Sequence, residues 1–327
     1  MSKPNSQAKE KIIEALSSSD WVSGERLGQT LGMTRPGVWK HISRLKEEGF
    51  RIESLQGRGY RLKTFPDILY PELIRQQLKT RLLGKGIHHY PRIDSTNIQA
   101  RIMAAEGVEE GTLLVAEFQE KGRGRLDRRW QSPPGRNLLF SLILRPEWSP
   151  REAFYGTVLA SVSLCRAIRE VTGVEAGIKW PNDIYTGDKK LAGILTEMAA
   201  DPDRIEYMII GVGVNCNWSP PHPPPGGQPA TSLYKESGNK VSRLILLTAF
   251  LSLAEELYEQ TLQSGTVVLR KEWERFSLTN NRRVTLSNGQ NQWSGICLGI
   301  DDQGALILQL AEGRQEKFLT GDVHLRI

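Results

Sequence analysis

Gln119-Glu120-Lys121-Gly122-Arg123-Gly124-Arg125-Leu126-Asp127-Arg128-Arg129-Trp130 packs four arginines and two glycines into twelve residues. Guanidinium groups this dense repel one another, so ordering the loop alone is costly and it is expected to stay mobile until an anion neutralises it. The stretch lacks the Lys-Ser/Thr ending of a P-loop and the third glycine of a dinucleotide fingerprint. A plain surface loop is the competing reading, although surface loops rarely concentrate guanidinium in this way. The flanks read as strands, over 112–118 and 137–144.

Outward from the loop, further strands are expected at 177–180, 191–198 and 207–214, with long helices near 151–172 and 242–262. On the first helix Phe154, Val158, Val162, Cys165 and Ile168 keep an apolar helical period. This alternation predicts an α+β domain of enzyme size. Lys179-Trp180-Pro181-Asn182-Asp183 ends a strand in a turn with an exposed carboxylate. Lys189-Lys190-Leu191-Ala192-Gly193-Ile194-Leu195 opens the next strand with paired lysines, and Gly211-Val212-Gly213-Val214-Asn215 is a glycine-punctuated strand. Missing side chains there let a ligand approach the backbone. Taken singly each cluster is weak: Lys190 reads as surface, the glycines as packing, and Asp94-Ser95-Thr96-Asn97 as an ordinary helix cap. The stretch SPPHPPPGGQP (219–229) cannot be regular structure and is expected to be an exposed loop.

Toward the C-terminus, short alternating strands are expected at 283–286, 293–300, 305–310, 316–320 and 323–327. Hairpin-type turns fall at Asn288-Gly289 and Gln303-Gly304. The pattern reads as a small β-barrel.

Toward the N-terminus, Ile12, Ile13 and Leu16 mark a first helix, Ser23 caps a second that ends at Gly32, and Thr34 and Pro36 open a third. Val38, Ile42 and Leu45 form the apolar stripe of that third helix, closed by Gly49. At 100° per residue, Pro36, Lys40, Ser43 and Arg44 lie opposite the stripe, with Arg35 and Trp39 toward its flanks. Two strands then surround Gln56-Gly57-Arg58, a wing with a positive tip. The spacing is that of a winged helix-turn-helix, whose recognition helix meets the major groove.

Charge supports this division. Residues 1–63 hold twelve Lys/Arg against seven Asp/Glu, an excess of five out of a net +6 for 327 residues. A polyanion partner is thus expected for the first part only. No apolar run is long enough to span a bilayer, and MSKPNSQAKEK carries no signal-peptide core. Cys165, Cys216 and Cys297 stand far apart without metal spacing. They read as reduced cytoplasmic thiols, with no structural zinc and no membrane association expected.

In order, D-S-T-N, Q-x-x-G-R-G-R-x-x-R-x-W, K-W-P-N-D, K-L-A-G-I-L and G-x-G-x-N resemble the motifs of biotin protein ligases. The preceding winged helix resembles the class that doubles as biotin operon repressor. The likeness runs over essentially the whole chain. It implies an α+β multidomain fold: winged helix-turn-helix over 1–64, an α/β biotin/lipoate-ligase-like catalytic domain over 70–268, and an SH3-like barrel over 271–327.

The resemblance also implies a chemistry. Biotin and ATP would give biotinyl-5′-AMP, whose biotinyl group passes to a lysine of a biotin carrier protein, with Mg²⁺ accompanying ATP. Carried over by position, biotin contacts would be Ser95, Thr96, Asn97, Gln119, Gly122, Arg123, Gly124, Arg125 and Lys190. Arg128, Trp130, Asn215 and Arg326 would face the nucleotide. Lys190, Arg123, Arg125 and Asp183 would carry catalysis, Asp183 serving either the acceptor lysine or the metal. Arg35, Pro36, Trp39, Lys40, Ser43, Arg44 and Arg58 would meet operator DNA. The adenylate would act as corepressor by favouring a homodimer. No protein metal ligands are assigned.

Asp127 departs from the family pattern, which has glycine there. Aspartate tolerates left-handed backbone better than most residues, so the turn is expected to survive with a negative charge among the arginines. Three readings compete with the bifunctional ligase: a lipoate ligase, a DNA-binding sensor whose ligase domain is weak or inactive, and a ligase with a vestigial N-terminal domain.

Overall fold

The computed structural model describes residues 4–17, 20–222, 228–288 and 291–325, and the chain divides into two compact units, Met1–Gln77 and Leu78–Ile327. In the first unit α1 (Pro4–Ser17), α2 (Gly24–Leu31) and α3 (Arg35–Glu47) precede a hairpin of β1 (Arg51–Leu55) and β2 (Gly59–Thr64), then α4 (Pro71–Gln77). The local signals act as expected. Ser23 accepts a hydrogen bond from the Arg26 amide, and Gly32 takes the left-handed backbone at φ 61° that releases the chain into the turn before α3. Ile12, Ile13, Leu16, Leu27, Val38, Ile42 and Leu45 bury their side chains in one small core. The unit extends past the wing. Tyr70 stacks on Phe50, and Leu73 and Ile74 of α4 are buried.

The second unit is built on a seven-stranded mixed sheet in the order β3-β4-β5-β9-β8-β7-β6. Its strands are β3 (Ile87–Tyr90), β4 (Leu113–Ala116), β5 (Leu138–Leu144), β6 (Gly177–Lys179), β7 (Asp183–Thr186), β8 (Lys189–Ala200) and β9 (Ile205–Val214). Only β3 and β4 run parallel. The helices are α5 (Thr96–Ala105), α6 (Phe154–Thr172), α7 (Leu233–Ser237), α8 (Arg243–Ser264) and α9 (Val267–Phe276). Sequence reasoning misses β3 and β7. Each has four residues, too few to display a period; β3 is defined by its pairing with the remote β4, and β7 by its pairing with the adjacent β6 and β8.

Register assigns the two faces of the sheet. Ser141 opposes Gly211, Ile143 opposes Ile209, and Leu195 and Gly193 oppose Gly211 and Gly213. Directly opposed residues share a face. On this face Ala100 and Ala104 of α5 pack against Leu114, Ile143 and Ile209. On the other, Phe140 meets Phe250 of α8 at 5.1 Å between ring centroids, and Thr196 bonds Thr157 of α6. α6 is expected to be amphipathic, yet every residue from Tyr155 to Cys165 is buried, because α8 and α9 pack against it in addition to the sheet.

The C-terminal residues form β10 (Arg283–Ser287), β11 (Gln292–Ile300), β12 (Leu306–Gln309), β13 (Gln315–Phe318) and β14 (Asp322–Leu325), an antiparallel sheet in the order β13-β12-β11-β10-β14. A closed barrel is expected from the sequence. Among the described residues the sheet is open, since its edge strands β13 and β14 do not pair with each other. The Gln303-Gly304 turn forms with Gly304 at φ 77°, while Gly289 of the other expected turn lies outside the described residues. No described helix is long and apolar enough to cross a membrane.

Candidate active site and nucleic-acid interface

A cavity of about 790 Å³ lies over the face that carries α5, where Gly193, Gly211 and Gly213 supply part of the floor. These glycines make room first for the protein's own side chains. A Cβ on Gly211 would lie 1.9 Å from Asn97 Oδ1, and one on Gly213 would lie 2.5 Å from Trp130 Cε2. Gly193 sits beneath Trp130, Lys190 and Asp183.

One end of the floor is neutral and hydrogen-bonding. Ser95 stands at the N-cap of α5 but its side chain makes no capping bond, so the expected helix cap is not its use. Gln119 Oε1 accepts from the Thr96 amide at 2.7 Å and lies 3.1 Å from Thr96 Oγ1. Ser141 Oγ is 2.7 Å from Thr96 Oγ1 and 2.6 Å from Asn97 Oδ1. All three motif residues Ser95, Thr96 and Asn97 are buried and border the cavity.

The neighbouring end is charged. Lys190 Nζ lies 2.6 Å from Asp183 Oδ1, and Arg125 donates to Asn182 Oδ1 at 3.3 Å. Asp183 opens β7 and is partly buried in this pair, not the exposed turn carboxylate the sequence suggests, because β8 folds back beside it. Lys190 stands 5.9 Å from the Trp130 ring centre. The Trp130 Nε1 is buried with no hydrogen-bond partner. Asn215 is buried and receives a 3.3 Å bond from Asn137, whose carbonyl accepts from the fully buried Arg243.

The arginine loop closes over this floor. Gly124 N–H donates to Arg128 O, Trp130 N–H to Gly122 O, and Lys121 Nζ to Asp94 at 2.8 Å. That last bond holds the Asp94 carboxyl below its ordinary range. Arg123 pairs with Glu197 at 3.3 Å. The left-handed residue is Leu126, at φ 52° and ψ 43°, rather than Asp127. It is the middle residue of the short 3₁₀ turn Arg125–Asp127 and is 76% exposed.

The structure brings most of the sequence-derived candidates together. Gln119, Arg123, Gly124, Arg125, Arg128 and Trp130 border the same cavity, as do Asp183, Lys190 and Asn215. Gly122 does not; it lines a smaller cavity of about 340 Å³ on the other side of the loop. Arg326 lies outside the described residues. Pro220, His222 and Gln228, from the described part of the proline-rich stretch, also line the main cavity, as do Ser287 and Val323 of the C-terminal sheet. Among the described residues no cluster of His, Cys, Asp or Glu could hold a metal ion by itself.

In the first unit Val38, Ile42 and Leu45 face inward, leaving Arg35, Pro36, Lys40 and Arg44 exposed and Ser43 half-buried. Trp39 is 62% exposed, a large cost in apolar surface for a lone small unit. Arg58 is exposed at the tip between β1 and β2. Arg61, at the wing's base, is instead occupied by Glu53, Asp20 and the Trp21 ring.

Family models match three stretches: an HTH domain over 9–61, the biotin/lipoate A/B protein ligase family over 90–215, and the biotin protein ligase C-terminal domain over 279–326. The bifunctional ligase/repressor BirA of Bacillus subtilis is 38% identical over 326 residues, covering 98% of this chain and 99% of that protein. The chain belongs to the BirA bifunctional ligase/repressor family. BirA of Escherichia coli is 34% identical over 97% of this chain and 96% of its own. A solved structure, the biotin protein ligase from Aquifex aeolicus in complex with biotin and ATP, is similar with a TM-score of 0.62 at 29% identity. It covers 74% of this chain and 99% of that one.

Within this BirA-family chain, sequence reasoning overlooks Ser141, Asn137, Asn182, Glu197 and Arg243. Asn182 stands inside a quoted motif and carried a visible signal. The other four lie in ordinary strand or helix sequence and are recruited by partners 44 or more residues away.

Proposed function

We propose that the chain joins biotin to ATP, releasing pyrophosphate, and transfers the biotinyl group from biotinyl-5′-AMP to a lysine of a biotin carrier domain. We further infer that its N-terminal unit represses transcription at operator DNA, with biotinyl-5′-AMP as corepressor. The observation that carries the reading is the polarity of the cavity. A neutral floor around Gly211 adjoins a cationic end around Gly213, two residues further along β9, and Gly193, its partner on β8.

That polarity suits a neutral ureido ring joined to a reacting carboxylate. Ser95, Thr96, Asn97 and Gln119 would hydrogen-bond the ring. Lys190, with Arg123 and Arg125, would draw the carboxylate and the α-phosphate together against their mutual repulsion. A carboxylate oxygen attacks the α-phosphorus, the bond to the bridging oxygen breaks, and pyrophosphate leaves with the electron pair. In the second step the neutral amine of the carrier lysine attacks the acyl carbon and AMP leaves. Asp183 offers a carboxylate for the proton lost. Arg128, Trp130 and Asn215 would hold the nucleotide, Trp130 by its ring face.

Mg²⁺ fits as an ion borne by ATP rather than by a protein cage, since it keeps waters and phosphates and asks for only one or two carboxylates. Asp183 is the donor available, and the ion would neutralise phosphate charge. Functional domains over 1–64, 70–268 and 271–327, an SH3-like character for the last, a cytoplasmic setting and an adenylate-dependent homodimer complete the proposal. Two winged helices in a dimer would meet two half-sites.

The test is pyrophosphate release with biotin and ATP, followed by transfer to a carrier fragment. Release with lipoate but not biotin would replace this reading with lipoate ligation. Biotin binding without pyrophosphate would leave a sensor.

A further inference from the structure

We infer that Glu197 is a positioning residue, the internal counter-anion that seats the arginine loop through Arg123. Its kinetic consequences rest on the ligase reading above; the seating itself does not. Glu197 lies on β8, opposite Ile209, on the face that carries the cavity, yet it does not border the cavity. One carboxylate oxygen pairs with Arg123 Nη1 at 3.3 Å and the other accepts from Asn97 Nδ2 at 2.8 Å. Both partners are substrate-facing, so the one side chain spans loop and floor from behind.

The geometry around Asn97 makes this consequential. Its Nδ2 also donates to Leu195 O at 3.2 Å, while Oδ1 sits 2.6 Å from Ser141 Oγ. A flipped amide would turn its oxygen toward a carboxylate and a carbonyl, so Glu197 and Leu195 O together fix the orientation of Asn97. Because Oδ1 can only accept, the Ser141 proton goes to Asn97. Ser141 Oγ also lies 2.7 Å from Thr96 Oγ1, and the Thr96 amide in turn donates to Gln119 Oε1, on the first residue of the loop. Gln119 and Arg123 thus stand at two ends of one hydrogen-bonded circuit closed by the loop backbone. A loop with four guanidiniums needs such an internal anion to settle before any ligand arrives.

Limited trypsin digestion of the ligand-free full chain tests the seating. Glu197→Gln keeps an oxygen for Asn97 and removes the charge. It should be cut within 123–129 about two- to fivefold faster than the unmodified chain, the range a partly exposed ion pair supplies when cleavage follows opening. Arg123→Ala, still carrying the other three arginines, should be cut at 125–129 faster by the same factor. The double variant should be no faster than Arg123→Ala alone. In pyrophosphate release, Glu197→Gln should raise KM for biotin about fivefold and leave kcat within about twofold, because Glu197 does not border the cavity and acts on how the loop is seated, while Arg123 itself is retained. Unchanged cleavage in Glu197→Gln, or additive acceleration in the double, overturns the inference. If Glu197→Gln does not fold, the cleavage of Arg123→Ala decides alone, and no acceleration there overturns it. An unmodified chain that releases no pyrophosphate would sink the ligase reading and leave the digestion to judge Glu197.

Discussion

Lys190 Nζ lies 2.6 Å from Asp183 Oδ1, each side chain only about a quarter exposed, at 29% and 23%. The pair bridges the antiparallel strands β7 and β8 beside Gly193, which leaves the ammonium unobstructed toward the cavity. Asp183 keeps the lysine aimed, and Lys190 keeps the carboxylate from drifting into an anion site. Replacing Lys190 by Gln should therefore lower kcat for pyrophosphate release by about 10²–10³, the loss typical of one oriented charge at a developing anion. Asp183→Asn should cost about tenfold or more, with the larger effect on transfer to the carrier lysine. Steady-state rates of the two half-reactions separate these outcomes.

Gly211 is a packing requirement as well as a part of the floor. A methyl group there meets Asn97 Oδ1 at 1.9 Å, and Asn97 is locked by bonds to Glu197, Leu195 and Ser141. Gly211→Ala should destabilise the second unit by about 1–3 kcal/mol, as overpacking does, visible in the urea midpoint. Gly213→Ala meets the half-buried Trp130 ring instead, 2.5 Å from Cε2, so the ring must shift. Its expected signature is a raised KM for ATP with little loss of stability.

Arg243 is fully buried and pairs with Glu117 at 2.8 Å while donating to the Asn137 carbonyl. Arg243→Met would take its buried cation from the Glu117 carboxylate, itself only 12% exposed, and leave it the His89 ring at 3.3 Å. The expected cost is about 3–5 kcal/mol by denaturant unfolding. Adding Glu117→Gln should recover part of it. A double variant no more stable than the single one would show that the loss lies in packing, not in the Glu117 charge.

The winged unit should separate phosphate binding from base reading. Arg58→Ala, at the exposed wing tip, is expected to weaken operator and nonspecific DNA alike and to reduce the salt slope of log K by about one. Trp39→Ala should leave the salt slope unchanged and narrow the gap between operator and nonspecific DNA. Titrations at two salt concentrations, with biotin and ATP present, distinguish the two.

Cys165, Cys216 and Cys297 are all buried. Burial pushes the Cys165 thiol up, and it does the same to Cys297 against weaker opposing hydrogen bonds. A thiol held protonated and out of contact with solvent is a poor nucleophile. An aromatic disulfide reagent at pH 8 should titrate no cysteine in the native chain and all three after unfolding.

The readable parts of this molecule were those governed by near neighbours. Ser23, Gly32 and the stripe Val38-Ile42-Leu45 specify helix, turn and helix within 25 residues, and the structure follows them. Apolar β8 and β9 were legible for the same reason. Leu126 took the left-handed backbone expected of Asp127, because the turn's hydrogen bonds from Gly124 to Arg128 and from Arg128 to Arg125 set the dihedrals rather than residue preference. α6 lost its expected polar face to α8 and α9, which no local period could announce.

The order of motifs along the chain determined the family, the basic first unit and the residue types that gather at the cavity. Helix caps, apolar periods and charge density act within a few residues, so they can be read without coordinates. Tertiary structure alone decided which carboxylate meets which cation: Glu197 with Arg123, Asp183 with Lys190, Glu117 with the buried Arg243. Electrostatic pairing depends on distance and burial in space, and a sequence separation of 74 carries no trace of the 3.3 Å between the Arg123 and Glu197 side chains.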